Sequence, residues 1–184
     1  MTKLAHSYSA LKQFDNCPKQ YNMQRITKEV KPSFGEAALH GQRVHKELEA
    51  ALKGEGVSEQ VVKYQPLLDA FTSLPGEVLA EQEMTLNDKL EPTGWGDKDA
   101  WLRSKIDVLV LNGPDAIVAD WKTGKHRPDF FQMELFAIQV FKHYPDVQRV
   151  KTSLIWLKDM MMDTKAYDKS DQDKLWNKFY IKIH

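Results

Sequence analysis

Asp107, Asp120 and Lys122 are two carboxylates and an amine that simple counting brings to one place. The stretch Ser104–Leu111 alternates and is rich in β-branched residues, as is Ala116–Lys122, and Asn112-Gly-Pro-Asp115 between them reads as a turn. This predicts an antiparallel hairpin. If Leu111 faces Ala116, then Val110 faces Ile117, Leu109 faces Val118, Val108 faces Ala119 and Asp107 faces Asp120. Lys122 projects from the same face as Asp120, because side chains alternate along a strand. Directly opposed carboxylates repel, at a cost on the order of 0.2–1 kcal/mol even in water. A divalent cation held between them offsets that cost. Hydrolysis of a phosphodiester needs a Lewis acid at the scissile oxygens and an activated water. Asp107 and Asp120 would supply oxygen ligands suited to magnesium, with the Trp121 carbonyl a third. Lys122 would orient or deprotonate the water, or neutralise charge on the phosphate. The spacing Asp-x12-Asp-x-Lys alone is equally compatible with an exposed polar face carrying a Lys–Asp pair.

The elements that must position these groups follow from apolar periodicity and capping. Ser7 or Ser9 caps a helix reaching about Arg25, with Pro18 predicting a break near Cys17. A second helix runs from about Glu36 to Lys53 and ends at Gly54. Its apolar stripe is Val44, Leu48, Ala51 and Leu52, with His45 beside it. Val61–Leu74 is expected to be a third helix and Gly76–Leu86 a strand. A loop from Gly94 to Leu102 leads into the Asp107 strand. The polar connection Thr123–Pro128 follows the hairpin, then an amphipathic helix from Asp129 to about His143. Val150–Leu157 is expected to be a strand, Thr164–Tyr167 a short one, and a last helix runs from Ser170 through Ile181. Helices followed by strands, then helix, strand and helix, predict a mixed sheet flanked by helices, α/β or α+β.

The chain has 184 residues, enough for one domain with a real core, and the expectation is a single domain over 1–184. Lysine plus arginine balances aspartate plus glutamate at 26 each. No bulk charge therefore advertises nucleic acid, although residues 1–31 are locally basic and such patches act over about 10 Å. One cysteine, Cys17, excludes an intrachain disulfide, a multi-cysteine zinc site and an all-cysteine iron–sulfur cluster. No apolar run approaches membrane-spanning length and no signal peptide is evident, so a cytoplasmic location is expected.

His45 in Gly41-Gln-Arg-Val-His-Lys-Glu-Leu48, Asp107, Asp120-Trp-Lys-Thr-Gly-Lys125 and Gln132-Met-Glu-Leu-Phe136 together resemble the PD-(D/E)XK nuclease superfamily. They are most similar to its RecB-like branch, which includes RecB and AddB nuclease domains and phage exonucleases. Ser7-Tyr-Ser-Ala-Leu-Lys-Gln-Phe-Asp-Asn-Cys-Pro-Lys-Gln-Tyr21 resembles that branch's N-terminal helix. The resemblance implies a restriction-endonuclease-like core and a Mg²⁺- or Mn²⁺-dependent deoxyribonuclease. In it His45, Asp107 and Asp120 are metal ligands, Lys122 the catalytic lysine, and Gln132 positions substrate or that lysine. Phe136 stands where the branch usually has tyrosine, and Arg103-Ser-Lys-Ile-Asp107 lacks the usual glycine. Iron–sulfur members carry three more cysteines; none is present, so Cys17 is expected to be a small buried residue.

Lys125 and Arg127, with His126 between them, are candidate phosphate contacts after the catalytic strand. Glu81 and Glu83 share a strand face, which favours a solvated acidic face over a metal role. Trp95 and Trp101 could stack on unpaired bases or cover the sheet. The expected partner is DNA, with any helicase or recombination protein on a separate chain and no membrane. The alternatives are a non-catalytic nucleic-acid-binding module on the same fold, or a metal-dependent hydrolase of RNA or nucleotides.

Overall fold

The alternating stretches pair into one sheet. In the computed structural model, which describes residues 5–183, the strands are β1 (Glu77–Leu86), β2 (Leu102–Asn112), β3 (Asp115–Lys122), β4 (Arg149–Trp156) and β5 (Met161–Asp168). They lie side by side in the order β1-β2-β3-β4-β5. β1–β2, β2–β3 and β4–β5 are antiparallel, whereas β3–β4 is parallel. A parallel pair needs a crossover. Here it is α5 (Phe130–His143), capped by Asp129, whose side chain accepts from the Phe131 N–H. The mixed sheet with helices around it is the α/β architecture expected from the pattern, and it fits the restriction-endonuclease-like core that the resemblance implies.

The hairpin has the counted register: Leu111 opposite Ala116, Val110 opposite Ile117, Leu109 opposite Val118 and Val108 opposite Ala119. Its turn is Gly113-Pro114, and Gly113 takes φ +57°, a left-handed conformation that costs glycine little.

Two apolar cores separate across the sheet. One is built on Met133, Phe136, Ile138 and Phe141 of α5, with Leu11 of α1 (Tyr8–Asn16) and Leu175 and Phe179 of α6 (Gln172–Ile183). The other joins Val44 and Leu48 of α3 (Glu36–Leu52) to Leu68 and Phe71 of α4 (Gln65–Thr72). Between α1 and α3 lie the short α2 (Pro18–Tyr21) and a π-helical turn, Asn22–Ile26. The expected break therefore occurs at Cys17. Its thiol is only partly buried, not buried as expected, because it caps α2 by accepting from the Gln20 N–H at 3.4 Å.

Strand alternation should send residues of one parity to one core. In β2, Leu102 and Ile106 join the α5 core, but so do Leu109 and, at its edge, Leu111. Val108 and Val110 join the α3–α4 core. The phase slips by one residue at Asp107. β1 does the same: Leu79 packs towards the α5 core with Met84 and Leu86, whereas Val78 packs towards the other. Its slip falls at Glu81, which has φ +53°. The register is Ala80 opposite Val108 and Gln82 opposite Ile106, so Glu81 lies opposite Asp107 and no residue is inserted. The sheet is creased across both strands at one level, and two acidic residues occupy the crease.

Three boundaries differ from expectation. The third helix is shorter, with a 3-10 turn Val62–Tyr64 before α4 and Pro66 in its first turn. β2 starts earlier, because Trp101 N–H donates to the Leu86 carbonyl and Arg103 N–H to that of His6. β5 extends back to Met161, which pairs with Trp156.

Trp121 is 2% exposed, and its ring meets Phe71 edge-on with centroids 5.6 Å apart. Trp121→Ala should cost about 3–5 kcal/mol in urea unfolding; a loss below about 1 kcal/mol would show that this core does not clamp α4 to β3.

Candidate metal and phosphodiester site

The candidate residues gather at the crease. α3 reaches it because Gly41 has no side chain: a Cβ there would lie 2.9 Å from Thr123 Oγ1, just beyond β3. Val44 and Leu48 then seat the helix on its core, and His45, one residue on from Val44, reaches the sheet. His45 Nδ1 lies 3.2 Å from Asp107 Oδ1, and the other Asp107 oxygen accepts the Trp121 N–H at 2.7 Å. Asp107 therefore spans the end of the β2–β3 ladder with its side chain.

His45, Glu81 and Asp107 offer ligand atoms that all lie within 4.8 Å of one another, the tight metal-ligand group found among the described residues. Glu81, read from the sequence as a solvated acid, thus stands beside His45 and Asp107. Its left-handed backbone breaks the strand alternation that would otherwise leave it on the same face as Glu83, and only Glu83 remains exposed. Lys105 Nζ pairs with Glu81 Oε2 at 2.5 Å. These groups line a cleft of about 650 Å³ between α3 and the sheet.

Asp120, 4% exposed, belongs to an adjoining relay. Gln132 of α5 donates from Nε2 to Asp120 Oδ1 at 2.8 Å and accepts at Oε1 from Lys122 Nζ at 2.7 Å. Lys122 Nζ also lies 2.5 Å from Asp120 Oδ2, as an ion pair. That buried oxygen has no aligned hydrogen bond. Residues 120 and 122 share a face, as counting predicts, and Gln132 locks them together.

Electrostatics reflect the crowding. Burial, and secondarily the Asp107 charge, push the Asp120 pKa up to about 6, against the opposing pull of Lys122 and His45. Burial and Asp107 likewise raise Glu81, with Lys105 opposing. At His45 burial works against protonation, but the Asp107 hydrogen bond and the charges of Asp107, Asp120 and Glu81 carry its pKa upward. A set of hard oxygen donors with one imidazole, two of whose acids, Asp120 and Glu81, are raised by burial and by the Asp107 charge, fits a divalent cation.

The flanking candidates separate. Lys125 and Arg127 line a 240 Å³ cavity with Lys122, Gln132, Lys12 and Tyr8. Tyr8 donates its hydroxyl to Asp129 at 2.7 Å, and that contact together with burial raises its pKa. His126 turns away, bonding Asp163 at 2.7 Å and meeting Trp156 edge-on. Phe136 is buried in the α5 core. Trp101 is also core, in contact with Trp176 and Phe179, whereas Trp95 is 38% exposed. Among the described residues no helix is long and apolar enough to cross a membrane.

The model of the PD-(D/E)XK nuclease superfamily matches residues 5–149. The chain belongs to that superfamily. As a PD-(D/E)XK protein it brings the expectation of metal-dependent phosphodiester cleavage and a nucleic-acid substrate. It is also similar to a solved structure titled "Crystal structure of SSO0001", at 14% identity and a TM-score of 0.50, over 97% of this chain and 75% of that one. At that identity the likeness concerns the fold alone. No curated protein matches this chain.

Asp120 holds its proton to about pH 6 when folded but releases it near 4 when unfolded. The folded state therefore binds more protons over that window, and this group's contribution to stability falls as pH rises from about 4 to 6. Asp120→Asn should abolish that fall and stabilise the chelator-treated protein at pH 8 by about 1–3 kcal/mol. Urea midpoints at pH 4.5 and 8 check it; an Asn variant less stable than wild type at pH 8 would contradict it.

Proposed function

We propose that this chain is a DNA nuclease using Mg²⁺ or Mn²⁺, an exonuclease of the RecB-like branch acting in recombination, repair or phage DNA processing. The observation that carries the reading is the meeting of the His45–Glu81–Asp107 group with the Asp120–Gln132–Lys122 relay across one sheet crease. His45, Asp107 and Glu81 would hold the cation, with Asp120 and the Trp121 carbonyl as further oxygen donors. When bound, the cation supplies Lewis-acid polarisation of the scissile phosphate.

The chain's own residues do the rest. Lys122 is held by Gln132 Oε1 and Asp120 Oδ2 in one orientation, so its ammonium is already aimed when substrate arrives. From there it neutralises charge building on the phosphate oxygens and orients the attacking water. Gln132 positions both the amine and the carboxylate and need not touch the reacting atoms. Lys125 and Arg127, with Lys12, flank the cavity beside Lys122 and would grip neighbouring phosphates.

The RecB-like assignment rests on the N-terminal Ser7–Tyr21 segment and on His45, and a single cysteine supports a member without an iron–sulfur cluster. We read residues 1–184 as one nuclease domain, working on DNA in the cytoplasm of a bacterial or phage-infected cell. Strand separation would come from a separate helicase or recombination protein.

Purified protein should cut DNA with Mg²⁺ or Mn²⁺ and stop on chelation. Lys122→Ala should lower the rate at least about 100-fold with the circular-dichroism melt within a few degrees of wild type. Wild-type turnover by that variant would overturn the reading.

A further inference from the structure

Trp95 belongs to neither apolar core. It lines a cavity of about 500 Å³ with Arg25, Arg103, Lys105, Gln132 and Phe136. Lys105 also lines the cleft that holds His45, Glu81 and Asp107. Gln132 holds Lys122. The cavity therefore opens beside both halves of the site.

Its walls have the chemistry of a nucleotide subsite. The indole of Trp95 is 38% exposed, and the Arg103 guanidinium lies over its ring, 5.4 Å from the centroid. Arg103 Nε is buried without a hydrogen-bond partner, a donor lacking an acceptor. Arg25 and Lys105 add positive charge to the same walls.

The platform is also preorganised. Asp97 Oδ2 accepts from the Gly94 N–H at 2.6 Å and from Thr93 Oγ1 at 2.7 Å. These bonds hold the Asp97 carboxyl below its usual pKa. Thr93 N–H is anchored to the Thr85 carbonyl of β1, and Trp101 N–H to Leu86. Gly94 leaves room for this carboxylate, since a Cβ would lie 2.8 Å from Asp97 Oδ2. An exposed tryptophan on a loop fixed this firmly loses little entropy on stacking.

We propose that this cavity binds one unpaired nucleotide next to the scissile phosphate, its base stacked on Trp95 and its phosphate held by Arg103. The proposal rests on the nuclease reading for its substrate class and makes that substrate a single strand at the site. A base inside a duplex is stacked on both neighbours and has no free face to offer Trp95, so the duplex interior gains nothing from this pocket without fraying.

Equilibrium binding of an oligothymidylate 12-mer and of a blunt duplex of equal length tests it. The full chain carries Lys122→Ala in every sample, so no strand is cut and the outcome is independent of hydrolysis. Adding Trp95→Ala should weaken single-strand binding roughly 5- to 100-fold while duplex binding changes less than about twofold. Trp95→Phe should recover most of the loss. Arg103→Ala should flatten the salt dependence of single-strand binding by about 0.7 in log–log slope. Equal single-strand affinity with and without Trp95, or equal losses for both nucleic acids, would overturn the subsite. A wild-type protein that cuts no DNA would instead count against the nuclease reading.

Discussion

Carboxylates that must share a small buried volume are the constraint around which this fold is arranged. Asp107 and Asp120 are 7% and 4% exposed, and Glu81 is close enough to feel the charge of Asp107. Each is stabilised by a group from another part of the fold. Asp107 takes His45 from α3 and the Trp121 N–H from β3, Asp120 takes Gln132 from α5, and Glu81 takes Lys105 from β2. The compensations are incomplete: the Asp120 and Glu81 pKa values stay raised and Asp120 Oδ2 lacks an aligned hydrogen bond. A site left in that state is stabilised further by a cation, and in its absence costs the fold stability.

The crease makes this crowding possible. A regular antiparallel ladder would place Glu81 with Glu83 and leave Asp107 among neighbours of fixed parity. By taking φ +53° opposite Asp107, Glu81 shifts the facing of both strands without changing their pairing. Left-handed backbone at a non-glycine residue costs on the order of 1 kcal/mol and survives where surrounding packing holds it. Here Leu109, Met84 and Ile106 are buried in the α5 core on either side of the slip, and Leu79 packs against its edge. The two cores hold the crease, and the crease presents the acids to His45.

Much of this was legible in the sequence. Turn chemistry at Gly113-Pro114 and the alternation of β2 and β3 set the hairpin register residue by residue, and with it the common face of Asp120 and Lys122. A serine cap marked the start of α1, where Ser7 fills the role, and amphipathic periodicity marked α5. Glu81 was the hard case. Strict alternation assigns it to a solvated face, and glutamate carries no marker for positive φ. Its signal lay in the apolar pattern: Leu79 against Met84 and Leu86, and Ile106 against Leu109, are odd spacings that a single-face strand cannot satisfy. The separate fates of Trp95 and Trp101 were not legible either, because they depend on α6 supplying Trp176 and Phe179 to one of them alone. Cys17 became a cap because Pro18 starts a new helix and leaves the Gln20 N–H for its sulfur.

On this reading the crease delivers His45, Glu81 and Asp107 to one cation. Anomalous diffraction from crystals grown with Mn²⁺ tests it most directly. A single strong peak within about 2.0–2.4 Å of His45 nitrogen and of Glu81 and Asp107 carboxylate oxygens is expected. A peak coordinated without Glu81, or elsewhere on the molecule, would contradict it.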